Sequence, residues 1–286
     1  MTGAPVSAPA LLAAPVRARG RDWPFTVAAG VLGAVVVAAV LAPLITPYDP
    51  TATDFDAVWA APGPEHWLGA DQQGRDLLSR VIDGARPSLL GAIALLALAT
   101  ALGTAIGVTA AWRRGWVDTL LARVTDVMFA FPGLLFVVLV IAVFGPGATT
   151  AVVGLGLAYA PAIAKFTRTI ALEELARPYV DAYRLQGVGG LQLCVRYVLP
   201  NMAPTVIGYL VVLFGEGLMS LASLNFLGFG AQPPSSEWGL MVEEGRAGVV
   251  QGVLGPTVVP GLAIAVVVVA TNIVGVRLSD RLAVRR

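Results

Sequence analysis

The sequence is poor in the residues that build most soluble active sites. It has one cysteine, Cys194, and one histidine, His66. A single cysteine excludes an intramolecular disulfide and a cysteine metal cluster. A single histidine excludes a multi-histidine metal site, and five methionines offer no thioether relay. No GxxxxGK[ST] phosphate loop, HExxH or CxxC occurs. Gly187, Gly189 and Gly190 look superficially like a phosphate-binding glycine loop, yet no strand precedes them and no lysine follows in register. With no converging His, Ser or paired carboxylates, the chain is not expected to be an enzyme.

Charge is scarce too. Only 13% of residues are charged, against roughly 25% in an ordinary soluble domain. The chain is 57% apolar with a mean hydropathy of +0.77. It cannot furnish the charged surface that a soluble protein of 286 residues needs. What it has instead are uncharged runs of about 20 residues, each long enough to cross a hydrocarbon core roughly 30 Å thick. The runs are continuous, not alternating, which excludes a porin-like barrel.

Six spans are predicted, at about 24–45, 89–111, 127–144, 149–171, 205–229 and 254–276. The Ala- and Pro-rich stretch 1–23 is expected to be disordered, and 283–286 form a short basic tail. The first run resembles the apolar part of a signal peptide, but its length and the spans after it point to an uncleaved anchor. Gly91, Gly103 and Gly107 mark where a neighbouring helix can approach the second span. Pro132 and Gly133 are placed to kink the third. Lys165 and Arg168 sit where long side chains snorkel to the interface.

With six spans both termini share a side. That side carries 15 of the 19 Lys and Arg residues, leaving only Arg75, Arg80, Arg86 and Arg246 on the other. Excess positive charge marks the cytoplasmic face, so both termini are predicted inside. Five or seven spans would destroy the asymmetry.

Three segments carry candidate sites. In 177–202, Pro178 suits the first turn of a short helix. Asp181 lies near its N-terminus, Arg184 is spaced to pair with Asp181, and Gly187 permits a sharp break. A second short helix is predicted from Leu191 to Tyr197, with Pro200 ahead of the fifth span. The bend either projects from the bilayer or lies on headgroups. In 66–86, Asp71, Arg75, Asp76 and Arg80 alternate in sign near helical spacing beside Leu77, Leu78 and Val81. This predicts a short amphipathic helix along the outer face, the alternative being an exposed loop with local ion pairs. Glu216 is a carboxylate inside the fifth span. Such a group is costly in lipid and is expected to face a pore or a partner, or else to make a structural hydrogen bond inside the bundle.

Residues 181–200, DAYRLQGVGGLQLCVRYVLP, resemble the coupling motif of ABC importer permeases: EAA, three residues, G, then LP. Asp181, Ala182, Gly187, Leu199 and Pro200 match, and Tyr183 stands where the second alanine is usual. Residues 66–80, HWLGADQQGRDLLSR, resemble the H-x-L-G-T-D-x-x-G-R-D segment of the C-type subunit of the dipeptide/oligopeptide/nickel permeases. His66, Leu68, Gly69, Asp71, Gly74, Arg75 and Asp76 match, and Ala70 replaces threonine. Phe131–Pro132, SLNFLGFG at 223–230, QPPSSEWG at 232–239, and Pro260, Gly261, Asn272 and Gly275 also fit. Leu221 stands where the family often carries a glutamate.

The resemblance implies an all-α integral membrane protein with six transmembrane helices and the type I ABC importer permease fold, in a bacterial inner membrane. It implies three kinds of partner besides the bilayer: a homologous B-type permease, two ATPase subunits that use ATP and Mg, and an extracytoplasmic substrate-binding protein. Neither cofactor, metal nor nucleic acid is expected on this chain. Short peptides are the expected substrate, with nickel, glutathione or another small solute as alternatives. A secondary transporter or a non-transporting scaffold are the readings outside the family.

Overall fold

The computed structural model describes residues 23–283, and it is all helical apart from loops and one isolated bridge between Ala70 and Asp76. The expectations for 1–22 and 284–286 lie outside the described residues. The long elements are α1 (Trp23–Ile45), α2 (Leu77–Arg113), α3 (Gly115–Ala130), α4 (Gly133–Phe144) and α5 (Ala148–Leu175). Two short helices follow, α6 (Pro178–Leu185) and α7 (Gly190–Leu193), then α8 (Leu199–Phe226), α9 (Trp238–Glu244), α10 (Arg246–Val250) and α11 (Gly255–Ala283).

Five of the described helices are long and apolar enough to cross a bilayer, and the bent pair α3–α4 makes a sixth candidate. Packing decides that this pair crosses. The α2–α5 interface is the most extensive in the molecule. Gly91 faces Val152, Gly103 faces Ala160 and Ile163, and Gly107 faces Thr167. Numbers rise together along both helices, so α2 and α5 run parallel, and the chain between them must return across the membrane. A Cβ on Gly107 would lie 2.4 Å from the Ala164 carbonyl oxygen. Backbones this close need glycine, as in other membrane helix pairs.

The third span departs from expectation. Residues 127–130 belong to α3, which meets α4 at 88°. Phe131 precedes a proline and takes an extended conformation, φ −90° and ψ 131°, as the proline ring requires of its neighbour. Two ion pairs hold α3 against α5: Arg168 Nη2 to Asp118 Oδ2 at 2.6 Å, and Lys165 Nζ to Asp126 Oδ1 at 2.7 Å. Thus Lys165 and Arg168 clamp a crossing helix.

Large apolar side chains on α1, α4 and α11 face outward, Val40, Leu44, Val143 and Leu262 among them. In water this would be a defect; in a bilayer it is the lipid face. The helices form a bundle with two distinct ends. The N-termini of α2 and α11, the C-terminus of α8, and α9 form an acidic end. The C-termini of α2 and α5, with α6 and α7, form a basic end.

Candidate functional site

At the acidic end, residues 66–76 form a tight loop, and helix begins only at Leu77, where it is already the start of α2. The expected amphipathic surface helix is absent, because its charges are not at a surface. Asp71, Arg75, Asp76 and Arg80 are each no more than 3% exposed. Asp71 accepts from the backbone N–H of Gln73 and Arg75 at 2.8 and 3.0 Å and from Arg75 Nε at 2.7 Å, and it also binds Arg80. The Glu244 carboxylate, on α9, lies 2.8 Å from both Arg75 Nη2 and Arg80 Nη1. Arg80 Nη2 also donates to the Ser235 carbonyl at 3.2 Å. Two arginines and two carboxylates thus neutralise one another and tie the two outer loops together.

Asp76 caps α2 by accepting from Ser79 N at 2.8 Å, and its other oxygen meets His66 Nδ1 at 3.0 Å. Gly69 and Gly74 turn the loop at φ +85° and +71°, and Leu68 packs partly buried below it. Beside the cluster, Glu237 caps α9 through Leu240 N at 3.0 Å and accepts from Ser88 Oγ at 3.0 Å. Burial pushes the Glu237 carboxyl above the usual carboxylate range, and its hydrogen bonds oppose that shift only in part. Trp238 donates Nε1–H to the Val81 carbonyl at 2.9 Å. Sequence reasoning missed Glu244 and Glu237. Glu237 stands 149 positions from Ser88 and Glu244 stands 169 from Arg75, and the signals available were the QPPSSEWG stretch that holds Glu237 and the carboxylates after it.

At mid-span, Glu216 is exposed on the bundle surface and not hydrogen-bonded inside it. It precedes the end of α8 by ten residues, about 15 Å, or half a hydrocarbon core. It lines an open groove of about 290 Å³ with Gly133, Leu134, Ala158, Tyr159 and Ser220. Tyr159 OH and Ser220 Oγ share a 2.9 Å hydrogen bond there. Leu221 is buried in the core against Gly91. Five residues turn a helix by about 140°, so Glu216 does not substitute for a carboxylate at 221.

At the basic end, α6 opens on Pro178, and Asp181 and Arg184 pair at 3.3 Å across its exposed face. Arg184 also lies over the Trp112 ring, 5.8 Å from its centroid. Gly187 has φ +78° in open space. Val180, Leu193 and Val198 are fully buried beneath the bend with Ala171 and Leu175, so the segment is folded against α5 and α8. Tyr183 stacks on Tyr197 at 4.2 Å, which explains why a tyrosine fits where the motif has alanine. Ala182 lies on the exposed side, while Leu185 and Leu191 are 89% and 81% exposed. One expectation is corrected. The second short helix is not separate from the span, because helix runs from Gly190 to Phe226 through a π-turn at 194–198. Leu199 and Pro200 follow directly on that π-turn, so Pro200 sits inside the continuous helix.

Among the described residues no group of three or more His, Cys, Asp or Glu is placed to hold a metal ion. Residues 103–284 match the family described as binding-protein-dependent transport system inner membrane component. The chain is 36% identical over 262 residues to the glutathione transport system permease protein GsiD of Pectobacterium atrosepticum, covering 90% of this chain and 85% of that one. It is 36% identical to GsiD of Escherichia coli O6:K15:H31 over 87% of this chain and 82% of that protein. A permease chain in an inward-facing structure of the MetNI methionine ABC transporter superposes with a TM-score of 0.59 at 16% identity, covering 72% of this chain and 97% of that one. That likeness shows the type I importer fold. The chain belongs to the binding-protein-dependent transport system inner membrane components, as a multi-pass, non-catalytic ABC importer permease related to the C-type subunits of the peptide and nickel uptake group.

Proposed function

We propose that this chain forms half of the translocation pathway of an ATP-driven importer for a small peptide-like solute, with the tripeptide glutathione the first candidate. Glutathione comes from the relatives' names, which favour this alternative over the main expectation of short peptides. Nickel lacks support from the described residues, which place no metal-binding group. The basic end faces the cytoplasm, by the division of 15 to 4 basic residues.

One observation carries the energy-coupling role. Leu185 and Leu191 stand almost fully exposed on a folded bend at the polar end of the bundle, either side of Gly187. The chain's own core leaves both uncovered. An apolar pair held on a rigid base suits the groove of an ATPase subunit. Motion passed to α7 enters α8 directly, since helix is unbroken from Gly190 to Phe226. A homologous B-type permease completes the pathway, two ATPases supply the stroke, and an extracytoplasmic binding protein delivers substrate to the acidic end.

The test is reconstitution of this chain with its permease partner, ATPases and binding protein in proteoliposomes. Uptake of labelled glutathione, a labelled dipeptide and nickel is measured with and without internal ATP. ATP-dependent glutathione uptake is expected. Uptake that persists without the ATPases and collapses with an uncoupler would instead make this a secondary transporter. Leu191→Ser should lower ATPase co-purification at an unchanged membrane level.

A further inference from the structure

The Glu216 groove has no counterpart in the coupling role or in the outer cluster. A carboxylate at mid-bilayer depth costs about 2.5–3.5 kcal/mol against lipid. Exposure on the surface of this chain therefore means that water or another protein covers it in the membrane. The groove offers oxygen atoms of three kinds: the Glu216 carboxylate, the Tyr159 hydroxyl and the Ser220 hydroxyl. Its remaining walls are apolar or backbone, with Gly133, Leu134 and Ala158 among them, and no lysine or arginine lines it. The nearest basic side chain along α5, Lys165, is engaged by Asp126 at 2.7 Å.

Such a set has a definite preference. One net negative charge with two hydroxyl acceptors in a low-dielectric wall favours a singly charged N–H donor. A divalent metal of the nickel type asks for imidazole or several anionic ligands, and only one carboxylate is present. The groove borders the break between α3 and α4. Backbone broken at membrane depth is tolerated where it lines a cavity or packs within protein.

We propose that Glu216, with Tyr159 and Ser220, forms a relay site in the translocation pathway that binds the primary ammonium group of the passing solute. The proposal rests on the importer reading above and adds to it a chemical class: the substrate carries a free amine, as di- and tripeptides and glutathione all do. The carboxylate accepts the ammonium as the solute leaves the binding protein and sheds water. The hydroxyl pair accepts its remaining N–H groups. A single charge-assisted contact holds the solute without trapping it.

The experiment uses the full importer in proteoliposomes, with labelled glutathione and a labelled alanyl dipeptide as probes. Glu216→Gln, Glu216→Asp and wild type are compared for initial uptake rate, for membrane level and for co-purification of the partner permease. Loss of a hydrogen bond to a charged group predicts roughly tenfold slower uptake for Glu216→Gln. Partial recovery is expected in Glu216→Asp, and assembly should be intact in both. Equal uptake by wild type and Glu216→Gln would overturn the site while leaving the importer reading intact. Loss of the partner permease in Glu216→Gln would overturn it as well, showing the carboxylate to be one half of an inter-subunit ion pair. No uptake of either probe by wild type would overturn the importer reading, and the relay site would fall with it.

Discussion

The two ends of the bundle both carry arginine–carboxylate pairs, and they use them in opposite ways. At the acidic end, Arg75 and Asp71 are 1% and 2% exposed, and Glu244 and Arg80 close the cluster around them. At the basic end, Arg184 and Asp181 are 51% and 73% exposed and touch no third charge. The first arrangement is costly to assemble and more costly to break, so it holds two loops in one geometry. The second is screened by water and contributes little. There the buried work is done by Val180, Leu193 and Val198, and the surface is left apolar for something else to cover. Burial, not the type of residue pair, separates a lock from a handle.

The sharpest way to break this contrast is at the lock. Arg75→Met leaves Asp71 and Glu244 sharing one arginine in a dry site, which should cost about 3–5 kcal/mol. Thermal unfolding of the detergent-solubilised protein measures it. Arg75→Met combined with Glu244→Met should recover much of the loss, because charge balance returns with Arg80 and Asp71 still paired. A double variant no more stable than the single would mean that the loops are held by something other than charge balance.

Gly187→Val tests the handle. A Cβ there meets no neighbouring atom within 4 Å, so the main cost is backbone strain at φ +78°, on the order of 1 kcal/mol. Membrane level should be unchanged, while ATPase co-purification and uptake fall severalfold. Arg113, in the last turn of α2, serves as control, and its substitution should do much less. Normal docking and uptake in Gly187→Val would remove the glycine from the coupling role.

Arg184→Ala should be milder. An exposed pair and a ring contact at 5.8 Å together contribute less than about 1 kcal/mol. A small shift in melting temperature is expected, against the large one for Arg75→Met.

The smallest effect is a pH dependence at the acidic end. The folded Glu237 carboxyl has a raised pKa because burial disfavours its charge. The stability this group contributes is therefore fully present below the ordinary carboxylate value of 4.5. It is lost as pH rises through the higher folded value. Glu237→Gln should flatten that decline in a melting series run upward from acid pH. A parallel decline in both proteins would assign it to other groups.

The all-helical, multi-spanning class and the basic–acidic asymmetry were legible in the sequence, because helix length and charge placement are set by the bilayer, which acts on each segment independently. So was the local chemistry of Pro178, Asp181, Arg184 and Gly187, whose helix start, ion pair and break depend only on near neighbours. The outer segment misled for the converse reason. Alternating charges beside leucines describe an exposed amphipathic helix unless a distant partner buries them, and Glu244 lies 169 positions from Arg75. The right-angled α3 was hidden in the same way. Its apolar stretch reads as part of a span, and only Lys165 and Arg168 on α5 show where Asp126 and Asp118 are held. Glu216 was visible as a charge in a span, but its orientation was not. Whether a side chain on a membrane helix faces core, lipid or an open groove depends on which helices pack beside it, and that is settled only when α4, α5 and α8 meet in three dimensions.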